Sequence, residues 1–80
     1  MTKKLFDLMG EVLGVNPTLI SDKTIQRDIE KWDSLNSLLL IDAIEKEYNI
    51  KFPIDDVMEI SGVIDIKNIL SKLGINVSEI

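Results

Sequence analysis

The run from Ser34 to Tyr48 contains neither proline nor glycine, and it constrains the fold more than any other stretch of the chain. It is headed by Trp32-Asp33-Ser34-Leu35. Asp and Ser favour the capped start of a helix, because their side-chain oxygens accept from backbone N–H groups that have no intrahelical partner. Asp33-Ser34 therefore marks a helix N-terminus, and Ser34 to Tyr48 reads as the helix that follows. Its start carries the positive end of the helix dipole and unpaired amide donors. A phosphate esterified to the Ser34 hydroxyl would sit in a favourable field there.

Projected at about 100° per residue, Leu40, Ile41, Ile44 and Tyr48 fall on one side of this helix and should face a core. Leu35, Leu38 and Leu39 fall largely opposite, beside Ser34 and in line with Asp42, Glu45 and Lys46. The loop before the helix offers cover for Ala43 and for Leu39. For Leu35 and Leu38, burial and service as a partly exposed docking patch rimmed by acids both stay open. The acids Asp42, Glu45, Glu47, Asp55, Asp56 and Glu59 read as a solvated face. Their functional alternative is electrostatic docking to basic partner surfaces, since Lys46 among them argues against a metal cluster.

The rest of the chain supplies shorter helices. From about Lys3 to Leu13, Leu5, Phe6, Leu8, Met9, Val12 and Leu13 share one half of a helix, with Lys4, Asp7, Gly10 and Glu11 on the other. Thr2 suits the N-cap and Gly14 the C-cap. From Val15 to Asp33 the periodicity fails. Asn16-Pro17 starts a turn, and Leu19, Ile20, Ile25, Ile29 and Trp32 are spaced to pin a long loop to the core, with one helical turn over Gln26 to Lys31. Trp32 reads better as an anchor for the loop end than as an exposed contact, because large aromatics bury most of their area. After a turn at Asn49 to Pro53, a short helix is expected over Asp55 to Ile60. Ser61-Gly62 breaks it, and a last helix over Val63 to Leu73 has the stripe Ile66, Ile69, Leu70 and Leu73, closed by Gly74. The tail Ile75 to Ile80 shows no periodicity and is expected to fray. The pattern is an all-α, small four-helix bundle in one domain over residues 1–80, three longer helices and one short, with a long loop after the first.

Composition excludes several classes of function. The chain has no His, which removes the usual general base and Ser-His-Asp catalysis, and no Cys, which removes disulfides and thiolate metal sites. A net charge of −5 opposes binding to nucleic acid and to anionic membranes and favours partners with basic surfaces. Asp7 interrupts the apolar run at the N-terminus, so neither a signal peptide nor a membrane span is expected, and a cytoplasmic location follows by default. A domain of 80 residues buries only about 60% of its unfolded surface, which leaves little room for a cavity of enzyme size.

Asp33-Ser34-Leu35 at the head of an apolar helix, with Leu13-Gly14-Val15 and Asn16-Pro17 before it and Ile50-Lys51-Phe52-Pro53 after it, resembles the acyl and peptidyl carrier proteins. The resemblance covers nearly the whole chain. It implies that Ser34 receives 4′-phosphopantetheine through a phosphodiester, and that a thiol at the far end of the arm carries the substrate as a thioester. With no Cys in the chain, that thiol must be added after translation. Asp33 would cap the helix and help to hold Mg²⁺ during transfer of the arm, so the metal belongs to that step and not to the resting protein. The implied partners are a phosphopantetheinyl transferase and enzymes that load and use acyl or aminoacyl groups. Docking would involve Leu35, Leu38, Leu39, Asp42, Glu45, Asp55 and Asp56 on a monomeric, non-catalytic carrier.

The chain departs from housekeeping fatty-acid carriers where those usually have an acid on the fifth residue after the modified Ser. Leu39 stands there, and Trp32 and Asn36 flank the motif. These features look more like D-alanyl carriers and stand-alone carriers of specialised pathways. Beside that reading stand a housekeeping carrier, an unmodified helical interaction module using the leucine patch, and a Ser-Lys hydrolase with Lys31 as base. Ser37 competes with Ser34 for modification but lies within the helix and lacks a preceding Asp.

Overall fold

The computed structural model describes residues 3–80. Four α-helices follow one another: α1 (Leu5–Leu13), α2 (Ser34–Tyr48), α3 (Ile54–Val57) and α4 (Val63–Lys72). Short 3₁₀ turns lie at Pro17–Leu19, Gln26–Asp28 and Val77–Glu79. The described residues hold no strand, only an isolated antiparallel bridge between Ile25 and Gly62. The helical bundle with a long first loop is therefore present, with α3 reduced to a single turn.

The apolar spacing of the three longer helices builds one core. Leu5, Leu8, Met9 and Leu13 of α1 meet Leu40, Ile41 and Ile44 of α2 and Val63, Ile66, Ile69 and Leu70 of α4, and Ile20, Trp32, Phe52 and Ile60 close it from the loops. Tyr48 is half-buried at the rim, its hydroxyl donating to the Lys3 carbonyl at 2.8 Å. Burial, with the Glu47 carboxylate as a second cause, pushes the Tyr48 phenol up to about 12. At its C-terminus α2 ends in Asn49 with φ 54°, a left-handed conformation that Asn tolerates better than most residues.

Several expectations are corrected. α1 starts at Leu5, with Lys4 as an N-cap that makes no side-chain cap bond; Thr2 lies outside the described residues. Gly10, assigned to the polar half of α1, is buried. A Cβ there would lie 2.7 Å from the Val15 carbonyl oxygen and 2.9 Å from Pro17 Cγ, so its lack of a side chain lets the loop fold back on α1. α3 runs Ile54–Val57, starting earlier and ending sooner than expected. Pro53 sets its entry, and 3₁₀-type bonds from Glu59 to Asp56 and from Ile60 to Val57 tighten the chain after it. α4 ends at Lys72, with Leu73 as C-cap. The tail does not fray: Ile75, Val77 and Ile80 pack partly buried against the core.

The long loop is pinned, though not by all the residues that the spacing suggested. Ile20 and Trp32 are buried and Ile29 is half-buried, whereas Leu19 and Ile25 are exposed. Backbone bonds do the work that spacing assigned to Ile25: Gln26 N–H donates to the Ser61 carbonyl at 2.7 Å, and Val63 N–H to that of Thr24 at 2.9 Å. Asp22 adds an ion pair to Lys67 of α4 at 2.6 Å, and the same ammonium lies 5.1 Å from the Phe6 ring centroid. The turn expected over Gln26 to Lys31 is a shorter 3₁₀ turn, Gln26–Asp28, closed by Ile29 N–H donating to the Gln26 carbonyl.

Candidate functional site

Trp32 fixes where the loop delivers Ser34. Its side chain is 2% exposed, so the anchor reading of this residue holds. One residue later the chain surfaces at Asp33, whose Oδ1 accepts from Asn36 N–H at 2.8 Å, while its carbonyl accepts from Ser37 N–H at 2.8 Å. Asn36 answers from the helix side, with Nδ2 donating to the Lys31 carbonyl at 2.7 Å. The end of the loop and the first turn of α2 are thus tied in both directions. Asn36 has a structural role here, because an amide donates to that carbonyl and a carboxylate does not.

Ser34 is the first residue of α2 and is exposed. Among the described residues its hydroxyl makes no hydrogen bond, and the N–H groups of Ser34 and Leu35 have no acceptor. The hydroxyl is therefore open to a reagent and lies at the electropositive end of a helix with two free amide donors, a setting that suits a phosphodiester. Ser37 is half-buried one turn further on. Lys31 sets its ammonium near Gly14 at the end of α1, and no hydrogen bond joins it to Ser34 among the described residues. The pairing that a Ser-Lys hydrolase needs is not made.

Beside Ser34 an open groove of about 330 Å³ runs between α2 and α3, lined by Gln26, Ser37, Leu38, Val57, Met58 and Ile60 as well as Ser34. A second groove, about 380 Å³, shares Leu38, Val57 and Met58 and continues past Ile41 to Phe52. Of the leucines on the outer side of α2, Leu35 is 66% exposed, Leu38 60% and Leu39 51%, so the loop does not cover Leu39. Sequence reasoning missed two neighbours, Ile54 at 76% and Met58 at 81% exposure. Their i, i+4 spacing was the available signal: it puts Met58, the C-cap of α3, on the same side as Ile54, while Val57 and Ile60 turn toward the core.

The acids are more engaged than a docking stripe requires. Asp42 pairs with Lys46 at 3.0 Å and Asp56 with Lys72 at 3.1 Å. Glu45 accepts from Phe52 N–H at 2.7 Å, and Glu47 from Lys3 N–H at 2.9 Å. Among the described residues Asp55 and Glu59 have no ion-pair partner, and no group of three or more carboxylates is placed to hold a metal. No described helix is long and apolar enough to cross a membrane.

The family model described as "Phosphopantetheine attachment site" matches residues 3–70. The chain is 31% identical over 71 residues to an acyl carrier protein of Bdellovibrio bacteriovorus, covering 89% of this chain and 91% of that one. Its fold superposes with a TM-score of 0.76 on the solution structure of a holo acyl carrier protein from Geobacter metallireducens, at 28% identity and over 85% of this chain and 78% of that one. The chain belongs to the phosphopantetheine attachment site family, and its cofactor is 4′-phosphopantetheine.

Proposed function

We propose that the chain is an acyl carrier protein bearing its 4′-phosphopantetheine on Ser34, and that it presents acyl or aminoacyl thioesters to the enzymes of a dedicated pathway. The observation that carries this reading is the open Ser34 hydroxyl at the capped start of α2, set there by a buried Trp32 and a carboxylate cap. The arm supplies, when bound, the terminal thiol that this chain lacks. Everything else falls to the chain. Asp33 holds the first turn closed through Oδ1, and its carboxylate would help to hold Mg²⁺ beside the incoming phosphate. The free N–H groups of Ser34 and Leu35 favour the phosphodiester once it forms. The chain has no His, and Lys31 sets its ammonium near Gly14 at the end of α1.

A dedicated pathway is favoured by Leu39, half exposed where housekeeping carriers place an acid. The chain's lack of Cys makes a clean test. Incubation with coenzyme A, Mg²⁺ and a phosphopantetheinyl transferase should give the protein one titratable thiol and one adduct by intact mass. A folded protein that gains neither with several transferases would sink the carrier reading and favour an unmodified interaction module.

A further inference from the structure

Trp32 is 2% exposed, and among the described residues its indole Nε1 is the one buried side-chain polar atom with no hydrogen-bond partner. A buried N–H normally finds an acceptor, because leaving it unpaired costs the desolvation of the group. The packing that buries Trp32 does not supply one. Trp32 also forms part of the lining of an open groove of about 550 Å³, built mostly from the long loop. Ile25 and Ile29 give this groove apolar walls, Gln26, Arg27 and Ser61 give it polar groups, and Asp33 brings it to the residue before Ser34. Gln26 lines the groove beside Ser34 as well, so the two grooves adjoin.

The group tethered at Ser34 has the chemistry that the indole lacks. Phosphopantetheine carries amide carbonyls, which are good acceptors, between short alkyl segments, and these match a groove of apolar walls and polar groups. An acceptor held on a tether beside the groove is at high effective concentration, so even the modest net gain of one hydrogen bond shifts where the arm rests. Ile25 and Arg27 are exposed and Gln26 and Ile29 half-buried, so rotation of these loop side chains opens the way to the indole without moving the core. We propose that the arm on Ser34 rests in this groove between reactions, with one of its amide carbonyls accepting from Trp32 Nε1–H. This rests on Ser34 being the attachment residue. Trp32 then does two things: its ring fixes the end of the loop, and its N–H holds the arm on the loop side, away from Leu38 and Met58 in the groove between α2 and α3.

The chain's single Trp gives one indole N–H signal, so nuclear magnetic resonance of the nitrogen-labelled protein reads the proposal directly. Protein loaded with the arm, as shown by intact mass, is compared with unloaded protein and with Ser34→Ala carried through the same loading. In the loaded protein the indole proton should move downfield and show nuclear Overhauser contacts to methylene protons of the arm. Its exchange with solvent should slow by about two- to tenfold, the worth of one net hydrogen bond, while the amides of Leu40 and Ile44 keep their rates. Ser34→Ala should match the unloaded protein. A loaded protein that lacks any of these three changes overturns the proposal, and so does slowing shared by Leu40 and Ile44, which would be general stabilisation. Arm contacts to Leu38 and Met58 in place of Trp32 overturn it too, since the arm would then lie between α2 and α3. So does an indole contact to a bound water that persists after loading, because the donor would already be satisfied. A wild type that gains no mass with any transferase overturns the attachment reading itself, an outcome distinct from a loaded protein whose arm stays off Trp32.

Discussion

The inner and outer faces of α2 are built from the same kind of residue and meet opposite fates. Leu40 and Ile44 are fully buried against α1 and α4, whereas Leu35, Leu38 and Leu39 stand more than half in solvent. Leucine content therefore says nothing about which face holds the domain together. The difference lies in what the neighbouring elements reach. α1 packs along the inner face, while the long loop, pulled toward α4 by the Ile25–Gly62 bridge and by Asp22–Lys67, never crosses the outer one. Stability is concentrated on one side of the helix, and the apolar surface left on the other surrounds Ser34.

Truncations on the two faces should break or sharpen that contrast most. Ile44→Ala should cost about 2–5 kcal/mol in urea unfolding, from lost burial and the cavity left behind. Leu38→Ala should change stability by no more than about 0.5 kcal/mol. Equal losses at the two positions would dissolve the distinction. Next in size is Gly10→Ala. The Cβ would meet the Val15 carbonyl and Pro17, so the variant should lose about 1–3 kcal/mol even though Ala is the better helix former. A stabilised Gly10→Ala would mean that the loop is not held against α1. At the head of α2, Asp33→Ala removes the cap and should cost about 0.5–2 kcal/mol, while Ser34→Ala should be close to neutral, as thermal unfolding would show.

The smallest effect is at the rim. The folded-state pKa of Tyr48, about 12, lies above its ordinary value of 10.0. Over that range the native state binds the phenolic proton more tightly than the unfolded state does. Its contribution is thus fully present below pH 10 and is lost as pH rises toward about 12. With the ring half in solvent, the amount should stay below about 1 kcal/mol. Tyr48→Phe should flatten this part of the stability curve, measured by urea midpoints at stepped alkaline pH.

How much of this was legible in advance depends on what each residue answers to. α2 was readable to its ends because Asp33 is a strong local cap and Asn49 a strong local stop. The core stripes of α1 and α4 were readable because period and burial agree. Gly10 was not, since its burial depends on a loop folding back from seven residues further on, and periodicity treats a glycine as polar by default. Ile25 and Leu19 misled for the opposite reason: their hydrophobicity suggested pinning, while the loop is held by backbone bonds that any residue type supplies. At the site, Ser34 and Asp33 follow from local chemistry. Ile54 and Met58 carry a signal only in their i, i+4 spacing, a single pair on a helix of one turn, with no further repeat to tell its outer face from its inner one. The acids misled in part: Asp42–Lys46 is an i, i+4 pair that spacing on α2 carries, whereas Asp56–Lys72 is set by packing that sequence spacing does not carry.

The most direct test of the account is to locate the arm on the chain. After loading, proteolysis and tandem mass spectrometry should find phosphopantetheine on Ser34 in the wild type, and the Ser34→Ala protein should stay unmodified with an unchanged thermal midpoint. An adduct on Ser37, or on any residue of the Ser34→Ala protein, would contradict the assignment of function to the open start of α2.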